Sequence, residues 1–459
     1  MELTNSLPKG PNTPRSLRLM KFIFQPIKYL DDYAKAYGDT FTIRGSKDTP
    51  IVYFSQPQAL QTIFTADDRQ LDAGRGNSGL EFLMGENSLL LLDGDRHQRQ
   101  RQMLTPPFHG ERMRAYGQII SEIAQQVMNQ WTVGKPFNVR ASMQEIALRV
   151  ILRVVFGLDE GSRLEKLRSL VGSTLDLMTS PFNSSAFFFE FLKQDLGGWS
   201  PWGRMQRQIK QIDELIYAQI AERRAESNPN REDILSLMMS ARDEAGQAMT
   251  DVELRDELMT LLVAGHETTA SALTWALYWV DQLPQVRDKL LQELDVDTTA
   301  DPSKIAKLPY LTAVCSETLR IYPIAANTFI RIVRSRFEIT GYKLEPGTVV
   351  VPSIYLAHHR EETFPQSKQF KPERFLERQF SPYEYLPFGG GNRRCIGMAF
   401  AMYEMKLVLA TILSRFQVSL VDKRPVIPVR RGLTLAAPAG MKMVATSRLK
   451  KPANTPVSV

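Results

Sequence analysis

Phe388-Gly389-Gly390-Gly391-Asn392-Arg393-Arg394-Cys395-Ile396-Gly397 is the stretch on which the reading of this chain turns. Three consecutive glycines let a backbone approach a flat ligand and turn without side-chain clashes. A thiol follows, with two guanidiniums beside it to favour its anion. Such a thiolate suits the axial position of haem iron, where it pushes electron density toward O–O cleavage. A lone Gly-Gly-Gly before a cysteine reads equally well as a tight loop around a buried thiol. The full spacing Phe-x-x-Gly-x-Arg-x-Cys-x-Gly is far rarer by chance and favours the ligand.

With that spacing the chain resembles the cytochrome P-450 superfamily of haem-thiolate monooxygenases. Cys395 falls on the family's iron-ligand position and Phe388 heads its haem loop. The resemblance implies haem b as cofactor. It also implies a mostly α fold with a smaller β-rich lobe, the haem lying between a long central helix and the cysteine loop.

That helix is legible on its own. Thr250-Asp251-Val252-Glu253 has capping-box spacing, and no proline follows until Pro284. The pattern predicts about 30 helical residues, roughly 45 Å. Leu254, Leu258, Leu261, Leu262, Ala272 and Trp275 supply a broad apolar face. In its middle stands Ala264-Gly265-His266-Glu267-Thr268-Thr269, where glycine costs about 1 kcal/mol relative to alanine. Threonine hydroxyls can bond back to the preceding turn and bend the rod, so a groove is expected there. Alone this is a packing notch. Beside Cys395 it matches the family's oxygen-activating motif, which implies that Thr268 hydrogen-bonds oxygen at the iron and Glu267 feeds it protons. His266 occupies the variable position.

Glu317-Thr318-Leu319-Arg320 puts a carboxylate and a guanidinium on one helix face. By itself that spacing marks a solvated pair. With Pro372-Glu373-Arg374-Phe375 downstream, the resemblance implies a buried network of Glu317, Arg320 and Arg374 supporting the haem loop. Haem propionates need cations, which arginine holds bidentately. Arg393 matches one family position, Arg331 another, and His97 and Arg101 share a helix face at i, i+4. Many relatives carry tryptophan where this chain has His97. Arg96 and Arg99 read as a solvated basic face, open to an acidic electron donor.

Composition agrees with a globular enzyme. The 459 residues are 43% hydrophobic and 23% charged, with a net charge of +7, too diffuse to argue nucleic acid. Two cysteines, Cys315 and Cys395, leave no disulfide framework. Cys315 reads as a small buried hydrophobe and His358-His359 as structural. Met398, Met402 and Met405 read as core.

The proline-rich Pro8–Pro14 segment begins without an apolar run of about 20 residues before it, so the expectation is a cytoplasmic protein without membrane anchor. We expect one continuous domain over 1–459, no fused reductase and a monomer. Phe337–Tyr342 followed by a turn at Glu345-Pro346-Gly347 into Thr348–Val351 reads as a hairpin. The tail after Met441 reads as a strand and then loose residues.

The resemblance places Ala264, Ala325 and Leu433 in the substrate pocket and the aromatic run Phe182–Leu192 over its entrance. A fatty acid, terpenoid or similar lipophile fits these residues, with O2 as co-substrate and an external donor such as ferredoxin with its reductase. The sequence looks most like soluble bacterial members, cyanobacterial ones among them. Two alternatives stay open: a non-catalytic haem-thiolate sensor or ligand-binding protein, and a haem-thiolate isomerase.

Overall fold

Thr250 Oγ1 accepts from the Glu253 N–H at 3.2 Å, and the Glu253 carboxylate accepts from Thr250 N at 2.8 Å. This reciprocal cap satisfies two donors that the first turn would leave orphaned. The helix it starts runs Asp251–Gln282, 32 residues, and is buried over most of its circumference. It continues as helix through Gly265 and both threonines, and Gly265 is a point of close packing. A side-chain carbon on Gly265 would stand 2.8 Å from Ile151 Cδ1. The missing side chain is what lets the helix Val139–Val154 lie against the central one.

The computed structural model describes residues 7–108, 110, 112–179, 195, 200–226, 231–294 and 301–448. The aromatic run at 182–192 and the residues after 448 lie outside that set. Helices dominate, and the central helix also packs on Met398–Leu413 and Pro309–Ile321. No helix among the described residues is long and apolar enough to cross a membrane.

The largest sheet has the order Thr40–Arg44, Pro50–Phe54, Val349–Pro352, Arg331–Val333, Leu71–Asp72. Its one parallel pair joins Pro50–Phe54 to Val349–Pro352. One face carries a satellite core of Val52, Phe54, Leu60, Val350 and Leu386, apart from the main helical core.

The expected hairpin is only half right. Phe337–Ile339 pairs with Tyr342–Leu344, because Thr340 (φ 44°) and Gly341 (φ 87°) make the turn. A left-handed pair at these two positions closes a two-residue hairpin. Val349–Pro352 then leaves to join the large sheet. Lys442–Arg448 is the middle strand of a second sheet, between Pro136–Asn138 and Phe416–Leu420.

Beneath the cysteine loop sits a fully buried carboxylate. Glu317 accepts from Arg320 Nε at 2.6 Å and Nη2 at 2.8 Å, from Arg374 Nε at 3.1 Å, and from Lys371 N at 2.8 Å. Arg320 Nη1 also donates to the carbonyls of His358 and Ser367, both at 2.8 Å. His358 Nε2 in turn accepts from Leu386 N at 2.9 Å, two residues before Phe388. Tyr385 donates its hydroxyl to Ser316 O at 3.0 Å. The helix Pro309–Ile321 is thereby tied to the segment that leads into Cys395. Lone Glu-x-x-Arg spacing would not have distinguished this from a solvated pair.

Cys315 is buried beside this network, and burial pushes its thiol up to about 12. Met405 is buried, and Met402 is half-buried against the core. Met398 is half-buried too, and its sulfur accepts from Arg394 Nη2 at 2.9 Å. On the same helix Glu404 is 1% exposed, and its Oε1 has no hydrogen-bond partner among the described residues. Burial alone pushes this carboxyl up to about 8.

Two outcomes follow. Glu317→Ala or Arg320→Ala strands the remaining buried charge and should cost about 3–5 kcal/mol, seen as a lower melting temperature and little cofactor-loaded protein. Normal yields would mean the pair is dispensable. For Glu404, the unfolded carboxyl ionises near its ordinary value while the folded one keeps its proton to about pH 8. Stability at this site therefore falls as pH rises between those limits. Glu404→Gln should remove that dependence and stabilise the protein at pH 8 by about 1–3 kcal/mol, with little change at pH 5. Melting curves at both pH values check it.

Candidate haem site

Cys395 donates its backbone N–H to Phe388 O at 2.9 Å, closing the loop on itself. Gly389 (φ 70°) and Gly391 (φ 65°) take left-handed conformations. A side chain on Gly390 would run into the Phe64 ring, and one on Gly391 into the Phe64 carbonyl. Two of the three glycines thus serve a close protein contact rather than a flat ligand. Phe388 is half-buried against the main core.

Cys395 is solvent-accessible, unlike Cys315. Even so, burial pushes its thiol up, and the Gly397 backbone, Arg101 and Arg394 only partly offset this. Accessible as a residue, Cys395 still feels the protein packed around its sulfur. Of the two expected flanking guanidiniums Arg394 favours the thiolate, joined by Arg101, whereas Arg393 donates to Leu92 O at 2.6 Å and Asp93 at 2.6 Å. A metal at the sulfur would favour the thiolate, the proton leaving to solvent, since coordination deprotonates a thiol outright.

The four propionate candidates come from three separate parts of the chain and sense one another's charge. His97 is buried and pushed down to about 3 by burial and then by Arg393, Arg101 and Arg331. It is neutral at physiological pH and still a hydrogen-bond donor. Arg331 is buried, donates to Phe329 O at 2.8 Å, and is pulled down to about 10 by burial and by Arg393. Arg393 Nε is buried without a hydrogen-bond partner among the described residues. Arg101 makes no side-chain hydrogen bond or ion pair with the described residues, and burial lowers its pKa. Asp93, which the sequence reading missed, holds the N–H groups of Ala73, Gly74 and Arg75 as well as Arg393. Crowded guanidiniums with spare donors beside an accessible thiol fit a dianionic, thiolate-ligated haem. Cys395 would ligate the iron, and Arg101, with His97, Arg331 and Arg393, would face the carboxylates.

On the central helix Ala264 is exposed although its surroundings are buried, and Thr268 is half-buried. Thr268 Oγ1 donates to Ala264 O. Glu267, about 100° further round, points elsewhere. Arg140 Nη2 donates to its two oxygens at 2.6 and 2.7 Å, Gln144 Nε2 at 3.0 Å and Ser271 Oγ at 3.3 Å. Arg140 and Gln144 sit on Val139–Val154, and nothing in their sequence neighbourhood announced them. His266 is buried and pushed down to about 4, mainly by burial.

Ala325 is half-buried against the satellite core. Leu433 is 58% exposed at the tip of the hairpin Val429–Arg431/Thr434–Ala436. The basic run divides. Arg96 donates to Asn87, whereas Arg99 is half-buried in ion pairs with Asp243 at 2.6 Å and Glu253 at 2.7 Å. Arg99 is a tether to the start of the central helix, not a solvated cation, because two carboxylates converge on it.

The cytochrome P450 family model matches residues 8–443. Cytochrome P450 135B1 of Mycobacterium tuberculosis is 39% identical over 414 residues, 90% of this chain and 86% of that protein. Cytochrome P450 135A1 of the same organism is 36% identical over 420 residues, 91% and 90%. Among solved structures, retinoic acid bound cyanobacterial CYP120A1 superposes with a TM-score of 0.83 over 97% of this chain and 100% of that chain, at 22% identity. The cytochrome P450DA heme domain gives 0.82, over 97% of each chain, at 23% identity.

Cys395→His should retain haem but lose the thiolate signature of the reduced carbon-monoxide complex, the Soret band moving to that of ordinary haem proteins. An unchanged spectrum would remove Cys395 from the ligand position.

Proposed function

This chain belongs to the cytochrome P450 family of haem-thiolate monooxygenases, and from that premise we propose that it inserts one oxygen atom of O2 into a lipophilic small molecule such as a fatty acid or terpenoid. Its electrons come from a redox partner, which we read as a ferredoxin with its reductase. We read the working form as a cytoplasmic monomer. The observation that carries the reading is the accessible Cys395 beside unsatisfied guanidiniums, together with the Glu267-Thr268 pair on the central helix.

Bound haem would supply oxygen activation and O–O cleavage. The protein's own part is holding and proton supply. Cys395 Sγ would be the ligand. Arg101, Arg331, Arg393 and neutral His97 would hold the propionates. Thr268 Oγ1, now donating to Ala264 O, is the hydroxyl that turns its proton toward the cleft. Glu267 refills that hydroxyl, its carboxylate being within reach of Arg140 and Gln144 when at rest. General acid–base groups act only within hydrogen-bond reach, directly or through one water, so Glu267 must rotate to serve. Ala264, Ala325 and Leu433 offer the guest no charge, which favours an apolar one.

Thr268→Ala should keep haem content while diverting electrons into hydrogen peroxide severalfold. Product per electron pair unchanged from wild type would reduce Thr268 to a helix residue. Ala264→Phe should overpack the guest's space by about 1–3 kcal/mol. Titrating a fatty acid and a terpenoid should show weaker spin-state shifts for both. Wild-type affinity for both would place Ala264 away from the guest.

A further inference from the structure

Leu89 is held from both sides. Its N–H donates to Glu257 on the central helix at 2.7 Å, and its carbonyl accepts from Arg393 in the cysteine loop at 3.4 Å. The side chain is buried, so the residue is not free to swing between the two. It belongs to a short segment, 85–93, whose hydrogen bonds divide between the same two partners.

Toward the central helix the segment has further anchors. Asp256 accepts from Asn87 N and Nδ2, both at 3.0 Å, and Thr260 Oγ1 and Ser88 Oγ share a hydrogen bond at 2.7 Å. Gly85 (φ 82°) opens the segment against the Asp256 carboxylate, which a side chain there would overlap. Ser88 O accepts from Leu91 N at 2.8 Å and Leu92 N at 3.2 Å, so fixing Ser88 fixes the carbonyls that follow. Toward the cysteine loop, Arg393 donates to Leu92 O and to Asp93, both at 2.6 Å.

Glu257 is 1% exposed, and burial pushes its carboxyl up to about 8. At neutral pH it is an uncharged acceptor, which glutamine can imitate. Ala264 and Thr268 follow it on the same helix face, at i+7 and i+11.

We propose that Glu257 is a positioning residue for Arg393: through Leu89 it fixes the segment 85–93 to the central helix, and the segment's carbonyls and Asp93 aim that guanidinium at the haem carboxylates. The inference rests on the haem reading of Cys395 and Arg393. Physically, an arginine side chain has many rotamers, and its aim is set by the acceptors its donors meet. Here those acceptors lie on backbone that the central helix holds in place.

The test uses haem-loaded protein and three readouts: hydrogen exchange of the segment 85–93, the reduction potential, and the rate of haem transfer to apomyoglobin. Glu257→Leu leaves the buried Leu89 N–H unmet. It should speed exchange in the segment and quicken haem transfer about tenfold, the loss of one buried hydrogen bond. It should also lower the potential, because a cation facing the haem carboxylates favours the reduced, more negative centre. Glu257→Gln should restore wild-type values. In an Arg393→Lys background, Glu257→Leu should add little, since both changes act on one cation. Asp233→Asn, which breaks the buried Arg223–Asp233 pair on other elements, should leave the potential where it is. Should Glu257→Leu fail to load haem, Thr260→Val loosens the same segment at Ser88 and should move all three readouts in the same directions.

Faster exchange in 85–93 with an unchanged potential and haem transfer overturns the inference. So does a Glu257→Leu effect that adds fully to Arg393→Lys, that Asp233→Asn reproduces, or that Glu257→Gln does not relieve. If Arg393→Lys itself alters neither potential nor haem transfer, the reading of Arg393 as a propionate cation falls instead.

Discussion

One buried carboxylate helps tie the helix Pro309–Ile321 to the segment that leads into Cys395. Glu317, fully enclosed, is shared by Arg320 and Arg374 and by the Lys371 N–H. Arg320 spends its remaining donors on the carbonyls of His358 and Ser367, and His358 receives Leu386 N. Charges taken out of water are tolerable only when every lone pair and proton is met. Here the meeting groups come from four stretches of chain. Misplacing any of them leaves a charge or a buried donor unmet, so the network acts as a check on the arrangement of the loop that carries Cys395.

The site above it is organised by the opposite condition, donors that the protein does not satisfy. Arg101 is unengaged by the described residues and Arg393 Nε is orphaned. Burial, and after it the surrounding guanidiniums, keeps His97 in its neutral form. Such an arrangement is costly until carboxylates arrive, which couples haem binding to stability in the way any ligand selective for the native state does. The raised thiol of Cys395 obeys the same logic, since an electron-accepting metal replaces the proton that burial retains. The two halves differ in what completes them: the network closes upon itself, and the site closes upon its cofactor.

The acid of the oxygen motif belongs to neither half. Glu267 is paired with Arg140 across a helix contact that Gly265 makes possible. A residue without a side chain at 265 lets the two helices come close enough for a guanidinium to reach the carboxylate two residues on. The glycine was readable as an anomaly of propensity, worth about 1 kcal/mol. Its use was not readable, because the partner Ile151 is more than a hundred residues away in sequence.

Local rules were sufficient where the partner of an interaction lies within a turn or two. Thr250 and Glu253 announced the central helix and its start, and the spacing around Cys395 marked the loop that carries the candidate ligand. The convergence of His97, Arg101, Arg331 and Arg393 was legible only through family resemblance, since nothing in composition relates residues so far apart. The hairpin at Phe337 was assigned to the wrong second strand because a short β-rich run does not declare its neighbour. Thr340-Gly341 supplied the actual turn, and the large sheet captured Val349–Pro352. Arg99 was read as solvated because a run of charges on a helix carries no sign of the carboxylates that fold onto it. Arg140 and Asp93 were silent for the same reason. The sequence by itself determined which residues could do the chemistry and where the helix carrying them begins. Only the tertiary structure decided which charges meet, because burial and distance set the strength of an ion pair and neither is a property of a residue alone.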